Sequence, residues 1–143
     1  GCFTSTYENY LIVGKANVTY GNTNLGIRVR ASGSTLTSGS YSRNIAAMFE
    51  NSYADAANQS YIAMSYNDLI TADANWFFYV YSPKLTDQTY VSGMMTSANL
   101  HSTSFSGMVN NTTAYDGIQI YNANTGAGDL NTSKVTVYGL AQW

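Results

Sequence analysis

Apolar and polar residues alternate along much of this chain. Over residues 25–31, Leu25, Ile27 and Val29 fall on one side, and Arg28 and Arg30 on the other. Over 134–139, Val135 and Val137 oppose Thr136 and Tyr138, and over 117–121, Ile118 and Ile120 share a face. A period of two is the mark of a half-buried strand. Less regular apolar segments predict further strands at Asn9–Lys15, Ser40–Phe49, Ser60–Tyr66, Asn75–Ser82, Thr89–Ala98 and Phe105–Asn110. Trp76–Tyr81 is apolar or aromatic at every position, which predicts a strand buried on both faces.

Turn-forming residues separate these segments at Gly21–Asn24, Gly33–Thr35, Ser82–Lys84 and Asn122–Gly128. Nine short strands at this spacing predict an all-β fold, an antiparallel β-sandwich of jelly-roll type. Ile45–Tyr53 and Ala54–Asn58 contain good helix formers, so the expectation allows one short helix at most. Residues 1–143 are long enough for a single domain with its own core. Gly117, placed just before an alternating strand, suggests a bend or bulge.

Composition sharpens the picture. The apolar share, 45%, is ordinary, but only 10% of residues are charged, against about 25% in a typical soluble domain. Small polar residues fill the gap: 12 Gly, 16 Ser, 16 Thr and 15 Asn, with 13 Tyr beside them. Ser, Thr and Asn compete for backbone hydrogen bonds and so suit turns and strands better than helix interiors. With six Lys and Arg and a net charge of −2, no basic stripe can follow a phosphate backbone, and nucleic acid is not an expected partner. There is no run of about 18 apolar residues, so no membrane insertion is expected. The start shows no signal peptide and no initiator Met, as in a fragment or a processed product.

Candidate chemistry is sparse. His101 is the sole histidine, so any Ser-His-Asp or Cys-His mechanism must pass through it, and its neighbours make a polar loop. Cys2 is the sole cysteine and has no partner for an internal disulfide. The eight carboxylates are scattered, with no spacing that marks an acid/base pair. One Cys and one His do not make a zinc site. The loop Asn122–Asp129 offers oxygen ligands but a single carboxylate, so a plain hairpin loop is expected there rather than calcium. Neither a metal nor another cofactor is expected, and five Asn-x-Ser/Thr sequons are what this composition yields by chance.

The order of several motifs resembles a family of tailed-bacteriophage tail-fibre and virion-appendage domains. Tyr7-Glu8-Asn9-Tyr10-Leu11-Ile12-Val13 is similar to that family's Tyr-Asp-Asn-Tyr strand. Leu25-Gly26-Ile27-Arg28-Val29-Arg30 is similar to its LxLRxS strand. Tyr115-Asp116-Gly117-Ile118-Gln119-Ile120 resembles its DGIRL strand, and Val135-Thr136-Val137-Tyr138-Gly139-Leu140 its terminal TIRLYGL strand. Gln119 and Thr136 depart from the Arg often found in the family, and Ala46–Asn67 has no clear counterpart. The resemblance implies a β-sandwich on a virion surface (tail fibre, head fibre or capsid decoration), non-enzymatic, often homotrimeric, contacting other virion proteins and contributing to host attachment. The chain would then be the C-terminal part of a longer fibre protein.

Two other classes stay open: a lectin-like carbohydrate-binding module of a secreted protein, and a fibre-borne glycan depolymerase. Tyr41, Tyr53, Tyr90 and Trp143 are expected to be exposed and to serve assembly. If a host glycan is bound, rings must stack on sugar faces while amides meet hydroxyls. The loops offering both are Tyr66-Asn67-Asp68 and Tyr121-Asn122-Ala123-Asn124, so Tyr66, Asn67, Asp68, Tyr121, Asn122 and Asn124 are the candidate ligand-binding residues.

Overall fold

A computed structural model describes residues 1–18, 24–37, 39–47, 52–65, 73–98, 102–123 and 130–141. It is an antiparallel β-sandwich with no helix among these residues. Eleven strands follow in order: β1 (Asn9–Val18), β2 (Leu25–Ala31), β3 (Ser34–Thr35), β4 (Tyr41–Ala47), β5 (Ser52–Gln59), β6 (Ile62–Ala63), β7 (Asp73–Tyr81), β8 (Thr89–Ser97), β9 (Ser102–Val109), β10 (Gly117–Asn122) and β11 (Leu130–Leu140). The larger sheet has seven strands in the order β11-β1-β7-β8-β9-β4-β5; the smaller runs β10-β2-β3, with β6 also paired to β2.

The core lies between the sheets. The large sheet supplies Tyr10 and Ile12 from β1, Trp76, Phe78 and Val80 from β7, Val91 and Met95 from β8, Phe105 and Val109 from β9, and Tyr41 and Ile45 from β4. Leu25, Ile27 and Val29 face them from β2, as the alternation of β2 requires. Gly107 lets the sheets approach: a Cβ there would stand 2.7 Å from Ile62 Cγ1. The β2–β3 hairpin turns on Ser32 and Gly33, both at positive φ. Two such residues in succession give the turn whose twist matches its flanking strands.

Three tyrosines are tied down inside. Tyr41 is fully buried, and its hydroxyl donates to Leu36 O (2.9 Å) and accepts from the Val29 N–H (3.1 Å), joining β4 of one sheet to β2 of the other. Tyr10 makes a similar pair with Thr4, donating to its carbonyl and accepting from its N–H. The Tyr115 hydroxyl donates to Asn111 Oδ1. Burying a phenol is tolerable because the hydroxyl keeps its partners.

The allowance of at most one short helix holds: among the described residues of Ile45–Asn58 there is none, since β4 runs to Ala47 and β5 covers Ser52–Gln59, the two strands pairing with each other. Pairing to a neighbour overrides the helix preference of the alanines. Several other expectations are corrected. Trp76–Tyr81 is not buried on both faces. Its burial alternates, with Trp76, Phe78 and Val80 inside and Phe77 and Tyr81 outside, because among the described residues the smaller sheet covers one face of the large sheet. Tyr41 is a core residue and not an exposed one, whereas Tyr53 and Tyr90 are exposed as expected. Trp143 lies outside the described residues. Gly117 opens β10 in unbroken register with β2 and marks no bulge. Of the strand expected at Ser60–Tyr66, Ile62–Ala63 pairs with β2.

Candidate ligand-binding surface

The register of the large sheet sets which side chains stand together on its outer face. One row across the strands reads Tyr138, Leu11, Tyr79, Ser92, Ser106, Asn44, Asp55. The next reads Thr136, Val13, Phe77, Met94, Ser104, Ala46, Tyr53. A third reads Leu140, Asn9, Tyr81, Tyr90, Met108, Ser42. The face is thus divided. Large apolar and aromatic side chains predominate on β11, β1 and β7, with Thr136 and Asn9 among them; small side chains and an amide predominate on β9 and β4, with Met108 the exception.

That division gives the face relief. Phe77, Tyr79 and Tyr81 occupy alternate positions of one strand and form a ridge, with the Tyr79 and Tyr81 rings nearly parallel at 6.0 Å between centroids. Phe77 is 43% exposed, Tyr90 47% and Tyr138 52%. Beside the ridge lies an open trough of about 590 Å³ between Tyr81 and Tyr90 on one side and Asn44, Asp55 and Ala57 on the other, over Ser92, Ser106 and Met108. A second depression of about 350 Å³ lies beside it, bounded by Phe77, Tyr79 and Met94 and crossing Ser104 and Ala46. Their depth comes from side chains of one or two heavy atoms beside rings.

Local hydrogen bonds hold the rims. The Tyr90 hydroxyl donates to Gln88 Oε1 at 2.8 Å, and the Tyr81 hydroxyl lies 3.4 Å from Ser92 Oγ. Asn44 Nδ2 donates to the Tyr53 hydroxyl at 3.2 Å. Asp55 is the one carboxylate among the residues that line the two depressions. Such a surface can stack on flat apolar groups, bury them and exchange neutral hydrogen bonds. Acid/base catalysis by a carboxylate pair would need a second carboxylate beside Asp55. Among the described residues, no three His, Cys, Asp or Glu side chains stand together as a metal site would need.

Of the residues singled out from sequence, Tyr66, Asn67, Asp68 and Asn124 lie outside the described residues, as do His101 and most of the Asn122–Asp129 loop. Tyr121 and Asn122 end β10, opposite Gly26 and Leu25. The Arg28 guanidinium covers one face of the Tyr121 ring at 4.2 Å, and the Tyr61 ring meets it edge-on at 6.1 Å. Arg43 lies 5.2 Å over Tyr61 in turn, so the two tyrosines stand between two arginines. The Tyr121 hydroxyl is buried with no hydrogen-bond partner among the described residues, and burial pushes its pKa up. Cys2 is half-buried, and its thiol is likewise pushed up, chiefly by burial. A raised pKa leaves less of the reactive thiolate.

Sequence reasoning missed the outer face. Its signal was the aromatic residue at every second place of β7, hidden because Trp76 and Phe78 are aromatic too. No protein-family model matches this chain, and no curated protein and no solved structure matches it either.

Proposed function

We propose that this chain is a non-enzymatic structural protein of the outer surface of a phage particle, in a tail fibre, head fibre or capsid decoration, and that it works by surface contact. The observation that carries this reading is the outer face of the large sheet. It gathers exposed Phe77, Tyr81, Tyr90 and Tyr138 around half-buried Tyr79. Exposed rings in a contiguous patch mark contact surfaces more often than scattered apolar residues do. The order of strand motifs over nearly the whole chain, similar to that of fibre and appendage domains, points the same way. A low charge suits contacts that persist as salt varies.

The test is to purify the source particles and quantify the chain by mass spectrometry, with antibody labelling in electron micrographs. A fixed copy number and labelling of the particle exterior are expected. Absence from purified particles would overturn the reading. A lectin-like module is the second reading, favoured by one feature: the Tyr81 and Tyr90 rings stand across the trough from Asn44 and Asp55 and over Ser92 and Ser106. A neutral glycan would stack on the rings while its hydroxyls meet the polar side chains. Saturable binding of the chain to neutral polysaccharide, lost in Tyr90→Ala, would favour that reading.

A further inference from the structure

We infer that the outer face of the seven-stranded sheet is the surface on which a second copy of this chain docks, ridge into trough. This rests on the reading of the chain as a contact-forming structural protein and names the partner of that same face.

Three observations lead there. The first is shape. A ridge (Phe77, Tyr79, Tyr81) and two depressions (about 590 and 350 Å³) lie side by side on one face. A two-fold axis between them would set each copy's ridge into the other's trough. One patch then serves both sides of an isologous contact.

The second is chemistry. On β1, β7, β8, β9 and β4, the three rows described above carry no charged side chain. Lys15 and Lys134 stand opposite each other beyond the Val13 row, and Asp55 lies out on β5. The ridge carries no charge, and the trough it would enter is lined by one acid, Asp55, and one base, Arg43, so two copies can meet without like-charge repulsion. Tyr and Met enriched over Lys and Glu is the composition of interface centres. A glycan fits the ridge side poorly. Leu11 and Val13 flank Tyr79 and Phe77 there, and sugar hydroxyls laid on them would lose their water partners.

The third is area. Five strands about 4.8 Å apart, with nine residues rising about 3.4 Å each, present on the order of 700 Å², a span that reaches past the three rows to Lys15 and Asp73 at one end. Interfaces of standard size take about 600–1,000 Å² from each partner, and this face falls within that range.

The resemblance to fibre domains implies three-fold assembly; the relief of this face closes with two copies. Sedimentation and light scattering on the whole chain at about 1–100 µM decide it. The expected result is a monomer–dimer equilibrium. Phe77→Thr with Tyr79→Thr, which removes the ridge, should weaken it at least tenfold. Ser106→Phe, which fills the trough, should do the same, with circular dichroism unchanged in both. Tyrosine modification of the unaltered chain provides a readout without substitutions: Tyr79 and Tyr81 should become protected as concentration rises, while Tyr53 stays reactive. A monomer at 100 µM overturns the inference. So does a trimer or dimer indifferent to both variants, or a pair dispersed by neutral saccharide, which would assign the trough to a glycan. Each of these leaves the particle-labelling result free to stand, so failure here and failure of the virion reading are distinguishable.

Discussion

Tyr41 shows how a single side chain can tie the two sheets together. Its hydroxyl sits between Leu36 O and the Val29 N–H, and burial pushes its pKa from the ordinary 10 up to about 12. The folded state favours the protonated phenol. That contribution to stability is complete below pH 10 and is lost as pH rises from there through about 12. Tyr41→Phe strands the Val29 N–H and should cost about 1–3 kcal/mol at pH 7. The variant should also lose less further stability than the parent between pH 10 and 12. Urea unfolding at both ends of that range checks it; equal alkaline slopes would discard the assignment.

At Gly107, the partner is apolar. Any side chain must displace Ile62, a fully buried residue of the smaller sheet. Gly107→Val should therefore destabilise by about 1–3 kcal/mol through overpacking. The neighbouring Ser106→Val, on the open face, should fall within about 0.5 kcal/mol. Comparable losses for the two would show that the sheets are not in close contact at this point.

Among the elements, β7 carries most of the information about the site. Phe77 and Phe78 are adjacent and chemically identical, yet Phe78 is fully buried and Phe77 is not. Phe78→Ala should cost about 3–5 kcal/mol. Phe77→Thr should change the stability of the monomer little, because it faces solvent and Thr keeps strand preference. Chemical denaturation of the two variants below the concentration at which copies associate measures the contrast. β5 teaches the opposite lesson. Its residues Ser52–Gln59 are rich in Ala and Asn, with no apolar alternation to announce a strand. It forms at the edge by pairing with β4, and its register shifts between Tyr41 and Arg43. Short-range preference left a short helix possible there.

For the whole molecule, low charge sets the expected behaviour. With eight acidic and six basic side chains in 143 residues, contacts made by the outer face have little charge to screen. Self-association should therefore change by less than about threefold between low and high salt. Titration by light scattering at the two salt concentrations would show it, and a steep loss at high salt would point to charge-driven contact. Far-UV circular dichroism should be that of strands. A helical share above about a quarter would contradict an all-β chain.

Alternation by itself determined that the chain is all-β, where β2, β10 and β11 lie, and that Leu25, Ile27 and Val29 share a side. Those features are local: side chains of a strand alternate whatever the strand packs on. The sequence also held a low charge and a surplus of tyrosine, and so the kind of contact the molecule can make. Only the tertiary structure decided which tyrosines are core and which are surface. Tyr41 and Tyr90 look alike in sequence; one closes the sandwich and the other lines the trough. The reason is that periodicity tells sides apart without saying which is covered. Among the described residues, four strands cover one face of a seven-stranded sheet and none covers the other. The ridge of Phe77, Tyr79 and Tyr81 and the hydroxyl rows beside it come from five strands distant in the chain. They meet only through the register of β1, β7, β8, β9 and β4.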